Sequence, residues 1–307
     1  SYKLEVGHPP GNPVFQLFAR VFTMFGDATQ AAVLVNAMSA ICSALTIFLL
    51  YLTIVFLAKR LICNKGEYTV GQALAIFGSG AVGALAYCFS DTFWFSAVEG
   101  EVYAMSSLFT ALVFWAMTKW YDSADQPYAD RWIVLISFLM GLSIGVHLLN
   151  LLAIPAIVFL YFYRQREEEN YTFRDYLKIM LVSVIILAVI LFIVIPCLPK
   201  MAAYVDLLFV NVFRLPFNSG AIFFMVALLS LCFWGLFVTL SRNRVFLNTA
   251  LLCFTTIVVG FSLFSICVIR SSVKTPTNEY QPDNPFTLVR YLSREQYGSQ
   301  PLLYGQY

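Results

Sequence analysis

The chain contains seven long apolar stretches, which constrain its fold more than any other feature. They lie at roughly 32–58, 71–90, 103–119, 132–163, 178–197, 219–240 and 245–269. About 20 consecutive apolar residues are enough for a helix to cross the hydrocarbon core of a bilayer. Inside that core every backbone N–H and C=O must be bonded within the protein, as a helix does. The sequence therefore predicts an all-α fold, a polytopic transmembrane helical bundle over residues 32–269.

The composition excludes several other classes of protein. Hydrophobic residues make up 60% of the chain and charged residues 12%, whereas a soluble domain has about 25% charged residues. An ordinary soluble enzyme is therefore excluded. The net charge of +2 leaves no basic surface for nucleic acid. The seven cysteines form no CxxC pair, so the spacing favours neither a zinc site nor a redox pair.

The stretch 132–163 carries no charged residue, yet a single helix of that length would run about 48 Å across a core of about 30 Å. His147, Asn150 and Pro155 interrupt it. If the chain turns back near 147–150, 11 of the 19 basic residues fall on one face, which the positive-inside rule assigns to the cytoplasm. They are Lys59, Arg60, Lys65, Lys119, Arg131, Arg164, Arg166, Arg174, Lys178, Arg242 and Arg244. We therefore predict about eight membrane segments, two of them short.

This topology assigns the less regular segments to the outer face of the membrane. Residues 1–31 are predicted to form an outer loop and a short amphipathic helix at roughly 13–25, and residues 270–307 an extracytoplasmic tail. The same face receives the predicted loops 91–102 and 198–218 and the break at 147–150.

Three carboxylates and several aromatic residues lie together in the predicted loop before the third stretch. Asp91, Glu99 and Glu101 are all within residues 90–103. Acidic groups at membrane depth are costly and commonly mark functional sites. Such a carboxylate can act as a general base or hold a divalent cation. The alternatives are that Asp91 is a helix N-cap and that the aromatic residues form an interface belt.

Both histidines lie where the chain is predicted to leave helical structure. The run 7–13 (GHPPGNP) predicts a stiff turn that presents His8, which can exchange protons or donate to a phosphate. His147 and Asn150 lie at the predicted break, and non-helical backbone at that depth is tolerated where it lines a cavity or is buried in protein. The alternatives are a simple helix entry for His8 and a satisfied core residue for His147.

The predicted tail combines cations with aromatic and amide side chains. Arg290 and Arg294 can clamp a phosphate in a bidentate fashion. The neighbouring tyrosines, Asn and Gln residues suit sugar rings through stacking and hydroxyl hydrogen bonds. The alternative is an ordered linker without a binding role.

Four runs together resemble one family: residues 2–11 (YKLEVGHPPG), 89–103 (FSDTFWFSAVEGEVY), 145–150 (GVHLLN) and 282–286 (PDNPF). It is the bacterial polytopic membrane family, long of unknown function, that is related to protein O-mannosyltransferases. The resemblance implies a GT-C-like glycosyltransferase of the bacterial inner membrane with a periplasmic active site. It also implies an acidic Asp-x-Gly-Glu-like motif before the position of Ser1, which this sequence lacks, and a C-terminal region beyond Tyr307.

The resemblance further implies transfer of a sugar, mannose in the related enzymes, from a polyprenyl-phosphate carrier to a hydroxyl group. The expected partners are this lipid-linked donor, a secreted or periplasmic protein acceptor and membrane lipids, and a divalent cation is a candidate cofactor. The predicted site residues are the carboxylates Glu101, Glu99 and Asp91, the phosphate ligands His8, Arg290 and Arg294, and the cavity-lining His147 and Asn150. The alternatives are a transporter or flippase of a lipid-linked substrate and a non-catalytic relative.

Overall fold

The computed structural model describes residues 1–63, 68–165 and 171–298, and within them the fold is all-α. The predicted cytoplasmic cations Lys65 and Arg166 and residues 299–307 of the predicted tail lie outside the described residues. The helices are α1 Pro13–Thr23, α2 Ala31–Ile62, α3 Val70–Cys88, α4 Asp91–Val98, α5 Val102–Ser123, α6 Arg131–Ile144, α7 Ile154–Gln165, α8 Phe173–Ala188, α9 Ile195–Asn211, α10 Ser219–Ser241, α11 Val245–Phe261, α12 Ser265–Ser272 and α13 Pro285–Leu292.

Seven helical segments of the described chain are long and apolar enough to cross a membrane, and α6 is a shorter apolar helix of 14 residues. The predicted polytopic helical bundle is therefore confirmed. The stretch 132–163 is divided, as predicted, into two segments. Helix α6 ends at Ile144, residues 145–147 connect, and a 3₁₀ turn over Leu148–Ala153 leads into α7.

The prediction that 198–218 forms a loop is wrong for residues 198–211, which belong to α9. The apolar run ends at Pro199 and Lys200, and this change in composition suggested a helix end. A wider π turn over Val189–Val194 joins α8 directly to α9. Pro196 lies in the first turn of α9, where its missing N–H costs little. Most of the predicted loop 91–102 is likewise helical, as α4.

The tightest helix crossing joins α6 to α11 through two glycines. A Cβ atom on Gly141 would lie 2.6 Å from the Ile257 carbonyl oxygen, and one on Gly260 would lie 2.6 Å from the Gly141 carbonyl carbon. Glycine is the residue that lets two helix backbones approach this closely in a membrane bundle. The crossing therefore positions α6, and with it the break that follows Ile144.

Helix α1 packs into the bundle. Its side chains Val14, Phe15 and Ala19 are buried and share a core cluster with residues of α2 and α5 and with Val146 of the connection. The apolar face of this amphipathic helix is thereby removed from solvent.

At the end of the bundle where α2, α5 and α7 terminate, here called the arginine end, cations of α2 and α7 connect neighbouring helices. Arg60 of α2 forms an ion pair with Asp122 of α5 at 2.8 Å, and Arg164 of α7 forms one with Asp125. Both guanidinium groups also lie over the ring of Tyr121, at 4.9 Å and 5.6 Å from its centroid. The ends of three helices are therefore fixed to one another at this end.

Candidate functional site

Four segments lie at the other end of the bundle, here called the polar end: residues 1–12, 89–101, 145–147 and 273–298. The Val14 N–H donates to the Gly145 carbonyl at 3.0 Å, which places the start of α1 on the break. The rings of Tyr103 and His147 are 5.5 Å apart. The break therefore lies beside the first turn of α5.

Segment 89–101, here called the carboxylate segment, is held by packing on both sides. Phe93 is the buried residue of α4 and its ring lies 4.5 Å from that of Tyr87. A Cβ atom on Gly100 would lie 3.0 Å from Val35 and 3.1 Å from Asn36 of α2. The small residue between Glu99 and Glu101 therefore lets the segment lie closely against α2.

The three carboxylates of this segment are all exposed. Glu101 is the N-cap residue of α5, with extended backbone (φ −110°, ψ 162°), and its side chain does not bond the helix. Asp91 is the first residue of α4, where its charge is favourable towards the helix dipole. In the described part of the chain none of the three forms a hydrogen bond or ion pair, so each can accept a proton or a hydrogen bond from a ligand. The exposed rings of Trp94 and Phe95 also suit a membrane interface.

His147 is half-buried at the break and its ring has a defined orientation. Its Nδ1 accepts a hydrogen bond from the Leu149 N–H at 3.2 Å and thereby caps the 3₁₀ turn. A nitrogen that accepts cannot carry a proton, so the proton of the neutral imidazole is assigned to Nε2.

Asn150 is fully buried beneath the break. Its Nδ2 donates to the sulfur of Met140 at 3.3 Å, and its Oδ1 has no hydrogen-bond partner among the described residues. The amide therefore joins the 3₁₀ turn to α6 inside the core. Its role in lining a cavity stays a prediction.

The predicted phosphate ligands gather on the tail. Tyr297 brings two of them together: its hydroxyl lies 2.8 Å from His8 Nδ1, and its ring lies 5.0 Å from the Arg294 guanidinium carbon. Glu279 Oε2 is 3.8 Å from the same histidine nitrogen. Arg290 faces Glu295 at 3.8 Å. All of these contacts are largely exposed, so a ligand can compete for the cations.

Two residues that attach the N-terminal segment to the tail were not among the predicted site residues. Arg270, after the last long apolar stretch, donates from Nε to the Leu4 carbonyl at 2.9 Å. The Tyr291 hydroxyl, whose pKa is raised by burial, donates to the Gly7 carbonyl at 2.7 Å. Tyr103, whose ring contacts that of His147, was also not predicted as a site residue. Its place two residues after Glu101 was the available signal.

The described residues contain no group of three or more His, Cys, Asp or Glu side chains that could hold a metal ion. The exposed carboxylates of the carboxylate segment are oxygen donors of the type that a divalent cation prefers, but they do not converge. A cation at this end stays a prediction.

The fold and the site define a polytopic helical membrane protein whose ionisable candidate residues lie at one end of the bundle, all but the half-buried His147 exposed. The family model described as the Protein O-mannosyl-transferase TMEM260 N-terminal domain matches residues 1–170. This match covers more than half of the chain, which therefore belongs to that family. The resemblance to protein O-mannosyltransferases is confirmed.

Two curated relatives carry the corresponding name. The chain is 22% identical over 181 residues to Protein O-mannosyl-transferase tmem260 of Dictyostelium discoideum, covering 55% of this chain and 20% of the relative. It is 23% identical over 170 residues to Protein O-mannosyl-transferase TMEM260 of Mus musculus, covering 55% of this chain and 22% of the relative. The chain thus spans about a fifth of the length of these relatives. No solved structure gives a significant match.

Proposed function

We propose that the protein is a membrane glycosyltransferase of the GT-C type that transfers mannose from a polyprenyl-phosphate carrier to a Ser or Thr hydroxyl of a protein. The names of its relatives support the reaction. The bundle supports a lipid-linked donor, because the carrier chain can stay in the bilayer while its sugar reaches the polar end. Location in a bacterial inner membrane with the polar end facing the periplasm is part of the proposal.

The reaction is a displacement at the anomeric carbon of the sugar. The acceptor oxygen forms a bond to that carbon while the bond to the phosphate oxygen breaks, and the bonding electrons leave with the phosphate. A carboxylate takes the proton of the acceptor hydroxyl. Glu101 is the proposed base, because it is exposed and unpaired at the start of α5 beside the Tyr103–His147 contact. Glu99 and Asp91 are the next candidates, and His8, Arg290 and Arg294 are proposed phosphate ligands.

The observation that carries this proposal is the contact between the rings of Tyr103 and His147. It joins the first turn of α5, which directly follows the carboxylate segment, to the broken membrane helix, although the two rings are about 40 residues apart in sequence. An exposed base and a polar break in the bundle therefore share one end, as transfer from a membrane lipid to a protein outside the membrane requires.

A transporter or flippase is the competing function. Transporters place ionisable groups near the bilayer midplane, at broken helices. Among the described residues, the buried carboxylate is that of Asp206. It already accepts hydrogen bonds from the backbone N–H groups at the start of α10. The remaining candidate residues lie at the polar end, which favours chemistry at a surface.

The test is sugar transfer by the full-length protein that contains this chain, with radiolabelled polyprenyl-phosphate mannose and acceptor peptides. Glu101→Gln should reduce kcat by at least 100-fold, because general-base catalysis contributes about 10²–10⁴-fold. Glu5→Gln, which changes a carboxylate of the N-terminal segment, is the matched control and should leave turnover unchanged. Absence of transfer by the folded wild type would refute the proposed function, and full turnover by Glu101→Gln would remove Glu101 from the site.

A further inference from the structure

The His147 side chain has one nitrogen engaged and one free. Nδ1 accepts the Leu149 N–H at 3.2 Å, which leaves the proton on Nε2. Within the described ranges no acceptor lies in hydrogen-bond contact with Nε2. The ring is held on a second side by Tyr103, at 5.5 Å between centroids. A neutral imidazole is therefore held in one tautomer and one orientation, with its N–H donor unused.

In the proposed topology α6 starts at the cytoplasmic boundary, and it is then too short to reach the outer surface of the membrane. Its 14 residues span about 21 Å, against about 30 Å of hydrocarbon. A helix that starts at the cytoplasmic boundary therefore ends about 9 Å before the outer boundary. A carrier lipid that enters this recess brings its phosphate next to the break. The cations of the tail have partners at the surface, whereas the Nε2–H at the break has none.

We infer that His147 binds the lipid-linked donor directly, donating a hydrogen bond from Nε2 to an oxygen of its phosphate. This inference rests on the proposed function. The phosphate oxygen gains negative charge as its bond to the sugar breaks, so a fixed N–H donor stabilises the transition state more than the ground state. The proton stays on Nε2 throughout, and the imidazole takes no part in proton transfer.

Two substitutions distinguish the role of His147 as a hydrogen-bond donor from its role as a helix cap. In His147→Asn the side-chain oxygen replaces Nδ1 as the cap, because Asn is a favourable N-cap residue, but no N–H remains at the position of Nε2. In His147→Gln the longer amide supplies an N–H near the position of Nε2 and loses the cap. A merely structural role predicts that Asn is the better replacement, whereas the donor role predicts that Gln is.

The experiment measures kcat and KM for radiolabelled polyprenyl-phosphate mannose, together with thermal unfolding in detergent, for the full-length wild type and both variants. We expect His147→Asn to unfold at the wild-type temperature and to lose about 10²–10³-fold in kcat, as for one removed oxyanion donor. His147→Gln should unfold at a lower temperature and retain at least ten times the kcat of the Asn variant. The inference would be overturned by a wild-type kcat in His147→Asn, or by a kcat of His147→Gln no higher than that of His147→Asn. In either case, transfer by the wild type would still support the proposed function.

Discussion

The substitution Gly141→Ala tests how strictly the α6–α11 crossing positions the break. The added Cβ would lie 2.6 Å from the Ile257 carbonyl oxygen and 2.8 Å from its Cα, about 0.8 Å inside the 3.4 Å of ordinary van der Waals contact. Both atoms belong to the backbone, so no side chain can rotate away. Overpacking of this kind costs about 1–3 kcal/mol, against a gain of about 1 kcal/mol in helix propensity. We expect the free energy of unfolding to fall by up to about 2 kcal/mol.

The clash should also move α6 away from α11 and thereby affect sugar transfer. Moving α6 by about 0.8 Å displaces His147, which follows the helix by three residues, and a misplacement of about 1 Å can cost 100-fold in rate. Thermal unfolding in detergent and transfer assays with the full-length protein measure the two effects. Gly78→Ala is the matched control, because nothing lies within 4 Å of a Cβ there, and it should be neutral or stabilising. Equal stability and turnover in Gly141→Ala and Gly78→Ala would refute the reasoning.

A further prediction concerns a buried carboxylate. Asp206 accepts from the backbone N–H groups of Asn218, Gly220 and Ala221 at 3.1, 2.9 and 3.4 Å. Asp206→Ala should therefore lower the free energy of unfolding by about 3 kcal/mol, and Asp206→Asn by less. A melting temperature equal to that of the wild type would contradict this.

The membrane helices were predictable because each follows from a local property of the chain. Apolar length alone gave the segments to within a few residues for most helices. The division of 132–163 required a second signal, the distribution of Arg and Lys, and the structure confirms it at 145–147. The carboxylates and His147 were predicted as site residues because polar residues are conspicuous in an apolar chain.

The remaining features depend on contacts between distant residues. The continuation of α9 past Pro199 depends on the π turn before it, and a hydropathy pattern does not reveal hydrogen-bond register. The pairing of Tyr297 with His8 spans 289 positions. Nothing in either segment alone specifies the other. The close approach of Gly141 to Ile257 exists only once α6 and α11 have packed.

The attachment of the first residues to the tail has a consequence for how the protein is made. Val6 pairs with Asn278, and the Tyr291 hydroxyl bonds the Gly7 carbonyl, 284 positions away. At about 5–20 residues per second, the ribosome needs roughly 15–60 s to synthesise the chain between them. During that time the N-terminal residues have been translated but their partners have not. This attachment therefore forms only after the helices of residues 31–272 have been synthesised, and a nascent chain that stalls before Tyr291 lacks it.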